Sequence, residues 1–93
     1  MNETNLPNRQ PINIEQKLSL FNDHWNPRIV GELNKQHVKI AKIKGEFIWH
    51  KHDDEDEMFL VLKGTLKIAF RDKTETINEN EIIIIPRGTE HKP

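Results

Sequence analysis

The apolar residues of this chain fall in short runs, none longer than the five of Met58–Leu62. Turn-forming residues interrupt them at intervals of roughly ten positions, the signature of an all-β sandwich or barrel. From Ile29 the pattern reads as strand after strand. Ile29 to Leu33 leads into the turn residue Asn34, and Gln36 to Lys44 follows. A change of parity at Ile40-Ala41 suggests a bulge there, or a strand buried on both faces. Gly45-Glu46 turns into Phe47 to His52; Glu57 to Leu62 is next, and Lys63-Gly64 turns into Thr65 to Phe70. Leu66, Ile68 and Phe70 alternate with Thr65, Lys67 and Ala69, which marks a half-buried strand. Thr74 to Ile77 and Glu81 to Ile85 complete the series, and Pro86-Arg87-Gly88 ends it. The four isoleucines Ile82 to Ile85 suit a strand buried on both faces.

Only the N-terminal part departs from this rhythm. Residues 1–11 are polar, carry Pro7 and Pro11, and are expected to form a flexible arm before a single domain over residues 12–93. Asn13 is placed as a helix N-cap with Gln16 at the capping-box position. Ile14, Leu18, Phe21 and Trp25 share one helical face, and Pro27 ends the helix no later than Asn26. The expected fold class is therefore all-β with a short N-terminal helix.

Composition excludes several functions. A chain of 93 residues is one small domain, and 34% hydrophobic content limits it to a small core. A net charge of -1 gives no general attraction to nucleic acid or an anionic membrane. No apolar run approaches the length of a membrane-spanning helix, and the first residues lack a signal-peptide pattern. A cytoplasmic location is the default expectation. The absence of cysteine removes disulfides, a thiol nucleophile and thiolate ligands, and the absence of tyrosine removes a phenolic acid or base.

Chemistry is concentrated in His50, His52, Glu57 and His91. His50 and His52 lie two apart in an apparent strand and share a face. Beyond the acidic stretch Asp53-Asp54-Glu55-Asp56, Glu57 begins the next strand, and a neighbouring strand end can add His91. Alone, a His-x-His pair is often a surface accident and an acidic run a solvated loop. Together, three imidazoles and a carboxylate suit a divalent transition metal: Fe, Mn, Ni, Cu or Zn, none singled out by ligand type.

The ordered pattern resembles the cupin superfamily. Its first motif, Gly-x5-His-x-His-x3–4-Glu-x6-Gly, corresponds to Gly45, His50, His52, Glu57 and Gly64. Its second, Gly-x5-Pro-x-Gly-x2-His-x3-Asn, corresponds to Asn80, Pro86, Gly88 and His91. The resemblance covers about Gln36 to Pro93 and is nearest to small single-domain cupins of the mannose-6-phosphate isomerase-like kind, a label of kinship rather than of activity. It implies a double-stranded β-helix, a jelly-roll barrel, with His50, His52, Glu57 and His91 as metal ligands. Gly64, Pro86 and Gly88 become turn residues. Four residues rather than five separate Gly45 from His50, and Asn80 stands where glycine is usual, a substitution that tolerates positive φ. The final Asn position of the second motif falls beyond Pro93.

Cupins of this kind continue with strands that close the barrel. Either the chain is truncated and lacks its last strands, or a partner supplies the missing pairing. A homodimer through the Ile29–Lys44 region is the expectation. Ile48, Phe59, Val61, Leu66, Ile68 and Phe70 are expected to give the metal a mainly apolar pocket for a small-molecule ligand or substrate. Trp49 is placed on the opposite face, Arg87 at the surface, and His24 and His37 outside the site. Three functions fit: a metal-dependent enzyme of dioxygenase or isomerase type, a binding or sensing module without turnover, and an inactive truncated cupin. No catalytic residue is assigned, and Glu57 is either ligand or base. Ligand imidazoles must be neutral, so metal should leave as pH falls through about 6.

Overall fold

The computed structural model describes residues 9–93. Most of the expected N-terminal arm, residues 1–11, therefore lies outside the described residues. The chain divides into two compact units, one ending at Lys44 and one beginning at Gly45.

In the first unit, α1 (Ile14–Leu18) starts as the sequence requires. The Asn13 side chain accepts from the Gln16 N–H at 2.9 Å, satisfying one of the donors a helix start leaves open. The helix stops at Leu18, short of the span expected to run to Trp25. The Ser19 hydroxyl donates to the Gln16 carbonyl at 2.6 Å, the local competition by which short polar side chains end helices. Beyond it, Trp25 takes a positive φ of 57°. Its N–H donates to the Lys42 carbonyl at 2.9 Å and its indole N–H to the Lys44 carbonyl at 3.0 Å. The segment trades helical hydrogen bonds for bonds to an extended chain. The apolar stripe still marks the inward side chains, because Phe21 is buried and Trp25 half-buried. Arg28 and Lys42 lie 4.5 and 5.1 Å from the Phe21 ring centre, both cation–π distances.

The same unit holds a hairpin of β1 (Arg28–Leu33) and β2 (Gln36–Ile40). Its turn residues Asn34 and Lys35 both have positive φ, 50° and 65°, as a two-residue hairpin turn demands. The bulge falls between Ile29 and Gly31, on the strand opposite the Ile40-Ala41 step expected to carry it. β2 ends at Ile40, so that step lies at the strand end.

The second unit contains β3 (Glu57–Leu60), β4 (Leu66–Phe70), β5 (Thr74–Ile77), β6 (Ile82–Ile85) and β7 (His91–Lys92). One sheet is β3-β6 and the other is β5-β4-β7, all antiparallel. Val61, Leu66, Ile68, Ile77 and Ile85 form the core, with Phe59, Phe70 and Ile83 packed on it. Both sheets contribute, which makes the unit sandwich-like. Asn80 at φ 65°, Gly64 at 81° and Gly88 at 76° set the turns, so Asn80 fills a left-handed position as the sequence suggested.

Two expectations fail here. Ile82 to Ile85 is buried on one face only: Ile85 is buried, while Ile82 and Ile84 are exposed. A two-stranded sheet has one inner side, so alternate isoleucines face out. Phe47 to His52 is also not a continuous strand; only His50 bridges, to His91. The Phe47 N–H to Pro93 carbonyl bond and the Gly88 N–H to His52 carbonyl bond each fall one residue out of the His50–His91 register. Because a one-residue slip changes the face of every side chain, Ile48 is exposed rather than interior. No helix among the described residues is long and apolar enough to cross a membrane.

Candidate metal centre

Backbone pairing brings the site together. His50 and His91 exchange both N–H···O bonds, at 3.0 and 2.9 Å, and their rings lie 4.3 Å apart between centres. The Gly88 N–H holds the His52 carbonyl at 2.7 Å, and the His52 ring centre is 5.4 Å from that of His50. Glu57 opens β3, registered opposite the buried Ile85, and its carboxylate turns toward the histidines. Its Oε2 lies 2.7 Å from His52 Nε2 and its Oε1 3.3 Å from His91 Nε2. One ligand atom from each of His50, His52, Glu57 and His91 lies within 4.8 Å of all the others. The structure thus unites all four residues singled out in the sequence. His24 is exposed, and His37 lies 3.9 Å from Glu32 on the hairpin.

The hydrogen bonds behind the rings fix their chemistry. His50 Nδ1 lies 2.9 Å from the Ile48 carbonyl, and His91 Nδ1 lies 2.9 Å from the Thr89 carbonyl. A carbonyl can only accept, so in both rings Nδ1 carries the hydrogen and donates it. A neutral ring then presents a lone pair at Nε2, the form in which histidine binds metals. For His91 this has a sharp consequence. The ring is 1% exposed, and its Nε2 lone pair would face a carboxylate oxygen at 3.3 Å. That contact is repulsive unless a cation, either a proton or a metal ion, lies between them.

The donor set fits a metal ion. Bonds of about 2.0–2.2 Å place atoms on one ion no more than about 4.4 Å apart. A contraction of a few tenths of an ångström from the observed spread, with His52 moving off the Glu57 oxygen, meets that limit. Three nitrogens and one carboxylate oxygen favour a divalent transition metal over calcium or magnesium. The four side chains form a cluster that could hold one such ion.

The surroundings differ from the apolar pocket expected. Leu66 and Ile68 are consumed by the core. An open cleft of about 310 Å³ beside His52 is lined by Lys51, Asp53, Asp54 and Glu55. Two of the loop's acids have a cation beside them: Asp53 has Lys51 at 3.4 Å, and Asp56 has the Arg87 guanidinium at 3.7 Å and also accepts the Arg87 backbone N–H at 2.9 Å. Arg87 is at the surface as expected. Trp49 carries the Arg71 guanidinium 3.8 Å above its ring, and Arg71 in turn grips Glu90 at 2.8 Å. The Ile48 and Thr89 carbonyls escaped the sequence reading, because a backbone carbonyl has no residue type. One local signal existed: each bonding histidine sits two residues after its carbonyl.

Comparison with known proteins agrees with this geometry. Residues 36–93 match the Cupin_2 family, described as a cupin domain. The uncharacterized protein YdbB of Bacillus subtilis is 44% identical over 64 residues, 68% of this chain and 57% of that protein. The chain thus spans little more than half the length of that relative. A crystal structure of a cupin-2 domain containing protein from Shewanella frigidimarina superposes with a TM-score of 0.86 at 52% identity, covering 87% of this chain and 79% of that one. A protein from Neisseria meningitidis superposes at 0.82 with 27% identity, covering 90% and 86%.

Proposed function

This chain belongs to the cupin-domain family, and from that premise we propose that it binds one divalent transition-metal ion through His50, His52, Glu57 and His91 and presents it to a small organic molecule. The observation that carries this reading is the gathering of one ligand atom from each of the four residues within 4.8 Å, with Nδ1 of His50 and of His91 donating to the Ile48 and Thr89 carbonyls and so leaving the Nε2 lone pairs for a metal. When bound, the ion would supply Lewis-acid chemistry and hold the oxygens of a chelating ligand. The chain's own residues do the rest. His91, buried, fixes the inner side of the site, and half-exposed His52 forms its outer side, next to the cleft. Dioxygenase-type and isomerase-type reactions both suit such a centre.

A second reading is a binding module without turnover. His91 is the one buried polar residue among the described residues, so no buried acid or base stands outside the ligand set. Oxygen uptake or isomerisation with chelating substrates separates the two readings.

The test of metal binding is elemental analysis of protein purified without chelator or nickel resin, alongside His52→Ala and His24→Ala. Near-stoichiometric metal in the parent and in His24→Ala, with at least about tenfold less in His52→Ala, is the expected result. Equal metal in all three would overturn the ligand assignment.

A further inference from the structure

Arg71 ties together the two segments that carry His50 and His91. It stands one residue past β4, and Glu90 one residue before β7, next in line after the registered pair Phe70–His91. Its Nε and Nη2 both donate to Glu90 Oε2, at 3.0 and 2.8 Å. The carbon of the same guanidinium lies 3.8 Å from the Trp49 ring centre, a close cation–π distance. Trp49 belongs to the segment that His50 bridges to His91. It is the middle residue of Ile48-Trp49-His50, in which the Ile48 carbonyl accepts from His50 Nδ1. Glu90 is the middle residue of Thr89-Glu90-His91, in which the Thr89 carbonyl accepts from His91 Nδ1. One side chain thus touches the centre of both three-residue units that set a ring's direction. Backbone pairing alone holds these units loosely: β7 is two residues long, and the ladder slips on either side of the His50–His91 pair.

We infer that Arg71 is a positioning residue for the metal centre, holding the His50 and His91 rings in the relation an ion needs, a role that rests on the metal reading proposed above. The Arg71 and Glu90 side chains are 63 and 48% exposed, so their tie adds little to the stability of the fold. What it fixes is the geometry of two ligands whose rings are 4.3 Å apart between centres. Metal–ligand bonds keep within about 0.2 Å of their ideal lengths, so a small shift of either segment is felt at the ion. Charge alone predicts the opposite effect. Arg71 is a cation, and its removal also strips Glu90 of this ion pair, so a purely electrostatic role would make a variant without it bind a divalent cation more tightly. A positioning role makes that variant bind more weakly. The shape of the group matters as well: lysine keeps a charge for Glu90 but has no flat face to lay on Trp49.

Co(II) alone serves as the probe, because its visible absorption reports ligand geometry. Its Kd is measured on the full chain by competition with a chelator, at a temperature where every variant is folded. Arg71→Ala should raise the Kd about three- to fivefold, or up to about 1 kcal/mol, and shift the visible band. Arg71→Lys should raise it about twofold, since the ion pair survives without the stack. Lys73→Ala removes an equal charge from an exposed pair with Glu75 and should leave both Kd and band as in the parent. A merely structural role would lower the melting temperature in chelator without moving either one. Unchanged or tighter Co(II) binding in Arg71→Ala, or equal weakening in Lys73→Ala, would overturn the inference. Should Arg71→Ala fail to fold, Arg71→Lys decides by the same sign. His52→Ala keeps the two readings apart. A parent that binds no Co(II), or binds it as tightly as His52→Ala does, removes both. Co(II) held by the parent, lost in His52→Ala and held equally by Arg71→Ala removes the positioning role alone.

Discussion

Glu57→Gln separates the two roles that the cluster gives to charge. In the parent, His91 Nδ1–H is committed to Thr89, and Nε2 lies 3.3 Å from a Glu57 oxygen. A cation between the two relieves that contact. The amide of a glutamine can instead donate to the His91 Nε2 lone pair directly, which relieves it without a cation while one anionic ligand is lost. Groups that merely support a metal ligand are worth 10–100-fold in affinity. Loss of the carboxylate is taken at about 100-fold, or about 2.7 kcal/mol. Thermal unfolding reads this out. At a metal concentration of about 100 times the parent Kd, binding stabilises the parent by about 2.7 kcal/mol. For a domain of this size that raises Tm by roughly 10–20 °C. At the same concentration the variant sits near its own Kd and gains about 0.4 kcal/mol, or roughly 2–3 °C. In chelator the two proteins should unfold within about 1 kcal/mol of each other. Equal metal-induced shifts would refute the ligand role. A loss above about 3 kcal/mol in chelator would mean that Glu57 serves the fold as an ion-pair partner.

Ile68 is fully buried in the core, so Ile68→Ala should cost about 2–5 kcal/mol in urea unfolding; a loss below about 1 kcal/mol would contradict the core described above. Gly88 holds φ 76° with open space where a Cβ would stand. Gly88→Ala should therefore cost about 1–2 kcal/mol by backbone strain alone, and Gly88→Asn less. Arg71→Ala removes an exposed ion pair and a stack on Trp49, and its cost in the same assay should stay below about 1 kcal/mol. Arg28, then Asn26, hold the Asp23 carboxyl below its ordinary 3.8 by hydrogen bonds. A depressed carboxyl stabilises above its unfolded value, and that contribution is lost as pH falls through the folded one. The stability gap between the parent and Asp23→Asn should therefore be constant above about pH 5 and shrink in more acid solution; a gap that widens on acidification would reverse the sign.

Much of the site could be read before any coordinates, because its chemistry is written in residue types at fixed spacing. His50, His52, Glu57 and His91 were named from the chain and stand together in space. The turns were equally plain, since positive φ restricts the choice of residue, as at Asn80 and Gly64. Less was legible where the outcome depended on competition between distant segments. The stripe Ile14, Leu18, Phe21, Trp25 has helical spacing, yet the helix ends at Leu18 because Trp25 finds partners in the Lys42 and Lys44 carbonyls. An apolar residue reports that it will be buried more reliably than it reports the backbone that buries it.

The sequence by itself determined the class of fold and the four residues that meet in the cluster, because periodicity, turn chemistry and residue type are local properties. Tertiary structure alone decided which face of Ile82–Ile85 is covered, since a run apolar at every position carries no alternation to choose by. It alone decided that the His50–His91 ladder slips on either side of the bridge, which puts Ile48 in water. It also set the tautomers of His50 and His91, through the Ile48 and Thr89 carbonyls. A backbone oxygen is the same for every residue, and only the folded chain says where it points.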